Sequence, residues 1–233
     1  MRSQNGNSRE RVMKEKKKAL GNRDEKEKSR ELSPAEERRL QRFEELSDHL
    51  IQQGCRRVEL TVTIVKANVF AVVLLIPLLI VGIGLFFLLN HDLSGGLGMM
   101  NPILFLALLF ALIVVHELIH GLSWSLFAKH HWKDIEFGFM KQYLTPYCTC
   151  GVPLKKGAYI FGALMPLVLL GILPMIAGIL TGAFGVLLMG IIMADSAAGD
   201  ILIVWKILRY RSEAETIVYI DHPTQAGGVI FEK

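Results

Sequence analysis

The sequence predicts an α-helical integral membrane protein with about four transmembrane helices, an N-terminal amphipathic helix and a small cytoplasmic β element. Three observations carry this reading. Lys and Arg are absent from Asn68 to Ala128 and again from Gly157 to Trp205, although 17 of the 26 Lys and Arg lie in residues 1–66. Each gap is long enough for two spans, because about 20 apolar residues cross a hydrocarbon core of ~30 Å. Finally, each gap contains a turn signal near its middle, His91-Asp92-Leu93-Ser94-Gly95-Gly96 in the first and Thr181-Gly182-Ala183 in the second. The expected spans are therefore 66–90, 101–128, 157–180 and 184–208, together a membrane domain over 66–211.

Residues 1–32 are charged and poor in apolar side chains, a composition that predicts a disordered tail. Ser33-Pro34-Ala35-Glu36 reads as a capped helix start. Leu40, Phe43, Leu46, Leu50 and Ile51 then form one apolar stripe, suited to a membrane surface or to the protein's own cytoplasmic face. Val58, Leu60, Val62 and Ile64 alternate with polar residues, as in a strand, and complete a segment over 33–65. Ile135–Phe139 and Tyr147–Val152 are two further strand candidates. Residues 212–233 read as a C-terminal tail.

Orientation follows from charge. Positive residues stay on the cytoplasmic side during insertion. The loops near 90–101 and 181–184 contain no Lys or Arg, whereas Lys129, Lys133, Lys141, Lys155, Lys156, Lys206, Arg209 and Arg211 lie in the other connections. Both termini are expected in the cytoplasm, and the first span serves as its own insertion signal. The basic N-terminal residues alternate with Glu, which favours a solvated or lipid-facing surface over a nucleic-acid site. Cys55, Cys148 and Cys150 fall on the reducing side.

The chemistry concentrates in His116-Glu117-Leu118-Ile119-His120. Residues four apart on a helix project from one face, so both imidazoles can bind one zinc ion. Glu117 is then placed to take a proton from a metal-activated water as general base. Two histidines and a glutamate inside an otherwise uncharged span are costly unless they act together. A third ligand is required, and the fourth span offers Asp195 and Asp200. These are about 140° apart around a helix, so both cannot face one metal. Depth does not separate them: Trp124 and Trp205 taken as interfacial anchors favour Asp200, while Lys129 and Lys206 favour Asp195.

With HELIHG at 116–121, Gly162-Ala163-Leu164-Met165-Pro166, Ala198-Gly199-Asp200 and Asp221-His222-Pro223-Thr224, the chain from about residue 50 onward resembles the zincin peptidases of unknown function. These are small bacterial membrane proteins allied in layout to site-2 proteases. The resemblance implies Asp200 as third ligand, Zn2+ as cofactor and cleavage of a membrane-anchored protein near the cytoplasmic leaflet of a bacterial cytoplasmic membrane. It also implies a substrate held as an added strand beside the site, at Ile135–Phe139 or Tyr147–Val152. In site-2 proteases the ligand aspartate precedes Gly, whereas Gly199 precedes Asp200 here. A non-haem iron oxygenase, a metal-ion transporter and an inactive protease-like chaperone are the competing classes. Of the remaining residues, His130 and His131 read as a polar turn, Cys148 and Cys150 as packing residues, and Pro166 and Pro174 as the source of a kink in the third span.

Overall fold

A computed structural model of the chain describes residues 32–90, 101–140 and 145–233. The charged segment 1–31, the polar break at 91–96 and Lys141 lie outside the described residues. Helix α1 (Pro34–Gln52) begins with the expected capping box. The Glu36 N–H donates to Ser33 Oγ at 3.3 Å, and the Ser33 N–H donates to Glu36 Oε2 at 2.9 Å. Strand β1 (Arg56–Thr61) leads into the first long apolar helix, α2 (Ile64–Leu89), capped by Thr63. Helix α3 (Pro102–Ser125) carries the paired histidines. The antiparallel hairpin β2 (Ile135–Met140) and β3 (Thr145–Cys150) follows it.

The third long helix, α4, runs from Lys156 to Thr181. Its middle, Leu167–Ile172, is π-helical and directly follows Pro166. Proline lacks the N–H that an α-helical bond requires, and a local π turn absorbs the mismatch. Gly171 meets α5 closely, for a Cβ there would lie 2.8 Å from Ala194 Cα. The expected fourth span is two helices, α5 (Phe184–Ser196) and α6 (Ala198–Arg209), bent by 48° at Ala197. Ser196 Oγ–H donates to the Met193 carbonyl at 2.7 Å, a local bond that competes with helix continuation. Among the described residues, three helices are long and apolar enough to cross a membrane, and α5 with α6 is a fourth if the bent pair is one span.

The last residues are folded, which corrects their reading as a tail. Strands β4 (Ile217–Asp221) and β5 (Gly227–Glu232) form a hairpin, and β5 lies between β1 and β4 in an antiparallel sheet. Every residue of β5 is buried. Among the described residues the expected single β element is thus two sheets: β1 pairs with β5, while β2 and β3 pair with each other. β1 precedes α2, the β2–β3 hairpin joins α3 to α4, and β4 follows α6. With antiparallel spans this connectivity places both sheets at the same end of the bundle.

Helix α1 covers the larger sheet. Phe43 is buried with Ile220, Val229 and Phe231, and Leu46 and Leu50 pack beside it, whereas Ile51 of the same stripe is exposed. The stripe therefore lies on the protein's own sheet. Arg39 joins the two β units: its Nε–H donates to the Pro223 carbonyl at 2.7 Å and its Nη2–H to Tyr147 Oη at 2.9 Å. Because Phe231 is fully enclosed at the centre of this layer, Phe231→Ala should cost about 3–5 kcal/mol. A lowered thermal unfolding midpoint in detergent, followed by tyrosine and tryptophan circular dichroism, is the expected reading.

Candidate metal centre

The two histidines face the same side of α3, as their spacing requires, with Nε2 atoms 3.1 Å apart. Asp200, the third residue of α6, places Oδ2 3.4 Å from His116 Nε2 and 3.5 Å from His120 Nε2. Both imidazoles are buried and Asp200 is half-buried. Donor atoms that surround one tetrahedral zinc at 2.0–2.1 Å stand about 3.3–3.4 Å from each other. The three observed separations bracket that value, so the donor set fits zinc in chemistry and spacing. Three protein donors also leave a fourth tetrahedral position, as catalytic rather than structural zinc sites do.

The surroundings hold His120 in the form a ligand needs. Its Nδ1 lies 2.9 Å from the Gly162 carbonyl. Only an N–H satisfies that oxygen, so the lone pair is left on Nε2, facing Asp200 and His116. Trp124 stacks on the ring at 5.2 Å between centroids and 15° between planes, and its own Nε1–H donates to the Tyr159 carbonyl at 3.1 Å. The indole occupies space that only glycine leaves open: a Cβ on Gly162 would stand 2.0 Å from Trp124 Cδ1. Trp124 is buried against His120 and Tyr159. Among the described residues, buried His116 Nδ1 has no hydrogen-bond partner, and an unmet polar atom of this kind costs about 1–3 kcal/mol.

The bend at Ala197 separates the two candidate aspartates. Asp200 turns toward the histidines, whereas Asp195 stands outside the triad, its buried Oδ1 having no hydrogen-bond partner among the described residues. Glu117, half-buried, lines a cavity of about 390 Å³ that also holds the triad. The Glu117 carboxyl lies close to the backbone N–H of Cys148 in β3. The β2–β3 hairpin reaches this position because Gly121 of α3 leaves room, for a Cβ there would be 2.6 Å from Phe137 Cζ and 2.9 Å from Ile135 Cγ2. The remaining walls are the first turns of α2, including Asn68, and the turn after β4, including His222 and Gln225.

A second carboxylate binds the walls together. Asp221 accepts from the Tyr159 hydroxyl at 2.6 Å and from the Cys150 N–H at 2.7 Å, so one side chain ties β4 to α4 and to β3. Burial raises its carboxyl to about 6, against the opposing pull of these two hydrogen bonds. Burial also pushes the Cys148 thiol far up and the Cys150 thiol up to about 12. Both therefore remain neutral thiols, in keeping with packing rather than metal binding. His130 bonds Asp134 at 3.0 Å and His131 bonds the Ser125 carbonyl at 3.0 Å, so this pair is a polar turn apart from the triad.

Helices long and apolar enough for a membrane carry a His-His-Asp triangle, a group of side chains that could hold a metal ion, beside a glutamate. Residues 109–214 match the family model described as "Putative zincin peptidase", so this segment is similar to that family. No curated protein and no solved structure matches the chain. The matched segment includes all three members of the triad and Glu117, and it stops before the C-terminal hairpin.

The aspartates give a direct test of the ligand set. Asp200→Asn should lower zinc affinity by at least about 100-fold, whereas Asp195→Asn should keep it within about threefold. Competition against a fluorescent chelator, with the protein in detergent, reads both.

Proposed function

We propose that the chain is a membrane-embedded zinc metalloprotease that hydrolyses a peptide bond in a membrane-anchored protein close to the cytoplasmic face. The observation that carries this reading is the triangle of His116 Nε2, His120 Nε2 and Asp200 Oδ2, 3.1–3.5 Å on a side, in one cavity with Glu117. In this reading His116, His120 and Asp200 hold the zinc. The bound ion supplies Lewis-acid chemistry, bringing the pKa of a coordinated water towards ~7 and polarising the scissile carbonyl.

The protein's own groups do the rest. Glu117 takes the proton of the attacking water as general base and returns it to the leaving amine as the C–N bond breaks. Its place beside the Cys148 N–H orients the carboxyl toward the cavity. His120, held by Gly162 and Trp124, keeps its ring fixed through the cycle. The apolar helices restrict water to the polar end of the bundle.

A site-2-protease-like arrangement of substrate is supported by the edge of β3. The Cys150 N–H bonds Asp221 rather than β2, so by strand alternation the main-chain groups of Cys148 and Pro146 point to the same open side, along the cavity wall. Pro146 is tolerated there because an edge position needs no N–H. An unwound substrate laid along this edge would donate its N–H groups to the carbonyls of Pro146 and Cys148, next to Glu117. Charge asymmetry supports cytoplasmic termini, while the bacterial cytoplasmic membrane and a membrane-anchored protein as partner, with no nucleic acid, follow from the family resemblance and are part of the proposal.

Glu117→Gln is the critical variant. Zinc content should be unchanged and peptide cleavage should fall by about 10²–10⁴-fold, with an uncleaved membrane protein accumulating in cells that carry it. Full biological activity in this variant would contradict hydrolysis.

A further inference from the structure

We propose that Asp195 is a specificity-determining residue, which receives the side chain of a Lys or Arg lying between the substrate's scissile bond and its apolar anchor. This rests on the hydrolytic reading above and names the class of peptide that the same site accepts. Asp195 stands in the last turn of α5, half-buried, and lines the cavity that holds the triad and Glu117. Among the described residues neither of its oxygens has a hydrogen bond or an ion pair, and Oδ1 is enclosed.

The charge of the cavity is one-sided. Four carboxyl groups line it, Glu117, Asp195, Asp200 and Asp221, and no Lys or Arg does among the described residues. Three of the four have partners within the protein. Asp200 faces His116 and His120, Asp221 accepts from Tyr159 and Cys150, and Glu117 lies beside the Cys148 N–H. Asp195 belongs neither to the donor triangle nor to any of these pairs. An ionisable group within an apolar span is costly, and such groups face a pathway or meet a partner charge. The cavity beside Asp195 admits that partner from outside the protein.

The placement matches an anchored peptide. Ser196, Ala198 and Gly199 line the same cavity, so one continuous stretch of wall joins Asp195 to Asp200. Five residues at a rise of 1.5 Å separate the two by about 7.5 Å, which an extended chain covers in about two or three residues. Asp195 is the deeper of the two, because α6 leads from Asp200 to the basic end at Lys206 and Arg209. The side chain it meets therefore lies on the anchor side of the scissile bond. Cytoplasmic flanks of spans are rich in Lys and Arg, so an anchored substrate carries its cations at this place. The apolar stem of such a side chain can lie along Ala67 and Ala71 of α2 while its charged end reaches the carboxylate.

Two synthetic peptides test this. Each has one apolar span and the same juxtamembrane segment, carrying either Lys or acetyl-lysine, which removes the charge and retains the stem. Affinity is measured on the zinc-loaded full chain with Glu117→Gln, in detergent, and cleavage on the chain with Glu117 intact. The Lys peptide should bind about 10–100-fold more tightly, and kcat/KM should favour it as well. Adding Asp195→Asn should bring the affinity ratio to within about twofold, whereas Asp195→Glu should keep most of the preference.

Equal affinity for the two peptides when Asp195 is present overturns the assignment, and so does a Lys preference that survives Asp195→Asn. Binding and cleavage fail separately. A Lys preference in binding, with no cleavage by the chain that retains Glu117, removes the hydrolytic reading and keeps the cation-binding role. Cleavage with equal affinity for both peptides keeps hydrolysis and removes the role of Asp195.

Discussion

Two imidazoles and a carboxylate stand within 3.5 Å of one another on helices whose other residues are almost all apolar. Ionisable groups are expensive in such a segment, by at least ~2.5 kcal/mol each. The surrounding structure is arranged around keeping these three convergent. Helix α3 supplies two of them through its periodicity alone. The third requires α6 to start in a new direction, and the 48° bend at Ala197 provides it. His120 is held by a carbonyl on one side and an indole on the other, and both contacts depend on the bare backbone of Gly162.

The β layers are part of the same construction. The β2–β3 hairpin descends onto Gly121 and brings a backbone N–H to Glu117. The C-terminal hairpin closes the other side of the cavity, and Asp221 joins it to α4 and β3 through two short hydrogen bonds. Helix α1 lies over this assembly, with Phe43 in its core and Arg39 bridging the hairpins at Tyr147 and Pro223. Proteolytic character is thus proposed for a site whose polar wall comes from outside the helical bundle, from both ends of the chain.

Much of this was legible in the sequence, for reasons that differ by element. The spans were readable because a charge-free stretch has few alternatives, and the α1 cap because Ser33 and Glu36 form a local motif. His116, Glu117 and His120 were readable because helical spacing alone brings them together. Asp195 and Asp200 could not be separated by helical geometry, since the choice depends on a bend at Ala197 that no proline or glycine at that position signals. The burial of Trp124 could not be read from its neighbours, because it depends on Gly162, 38 positions away. Strands β4 and β5 were missed because neither alternates: β5 is buried throughout, and β4 buries adjacent Tyr219 and Ile220. The available signal was two β-branched runs, Ile217–Ile220 and Val229–Phe231, separated by a turn containing Pro223. Tyr159 and Asp221 carried no local signal, since their pairing exists only once the hairpin has docked.

The central claim is a zinc ion held by two histidines and one aspartate. Zinc-edge X-ray absorption on the purified full chain in detergent tests it most directly. The account predicts about one zinc per chain and a first shell of nitrogen and oxygen at about 2.0–2.1 Å, with two imidazoles in the outer-shell scattering and no sulfur. A sulfur shell near 2.3 Å, iron in place of zinc, or a single imidazole would contradict it.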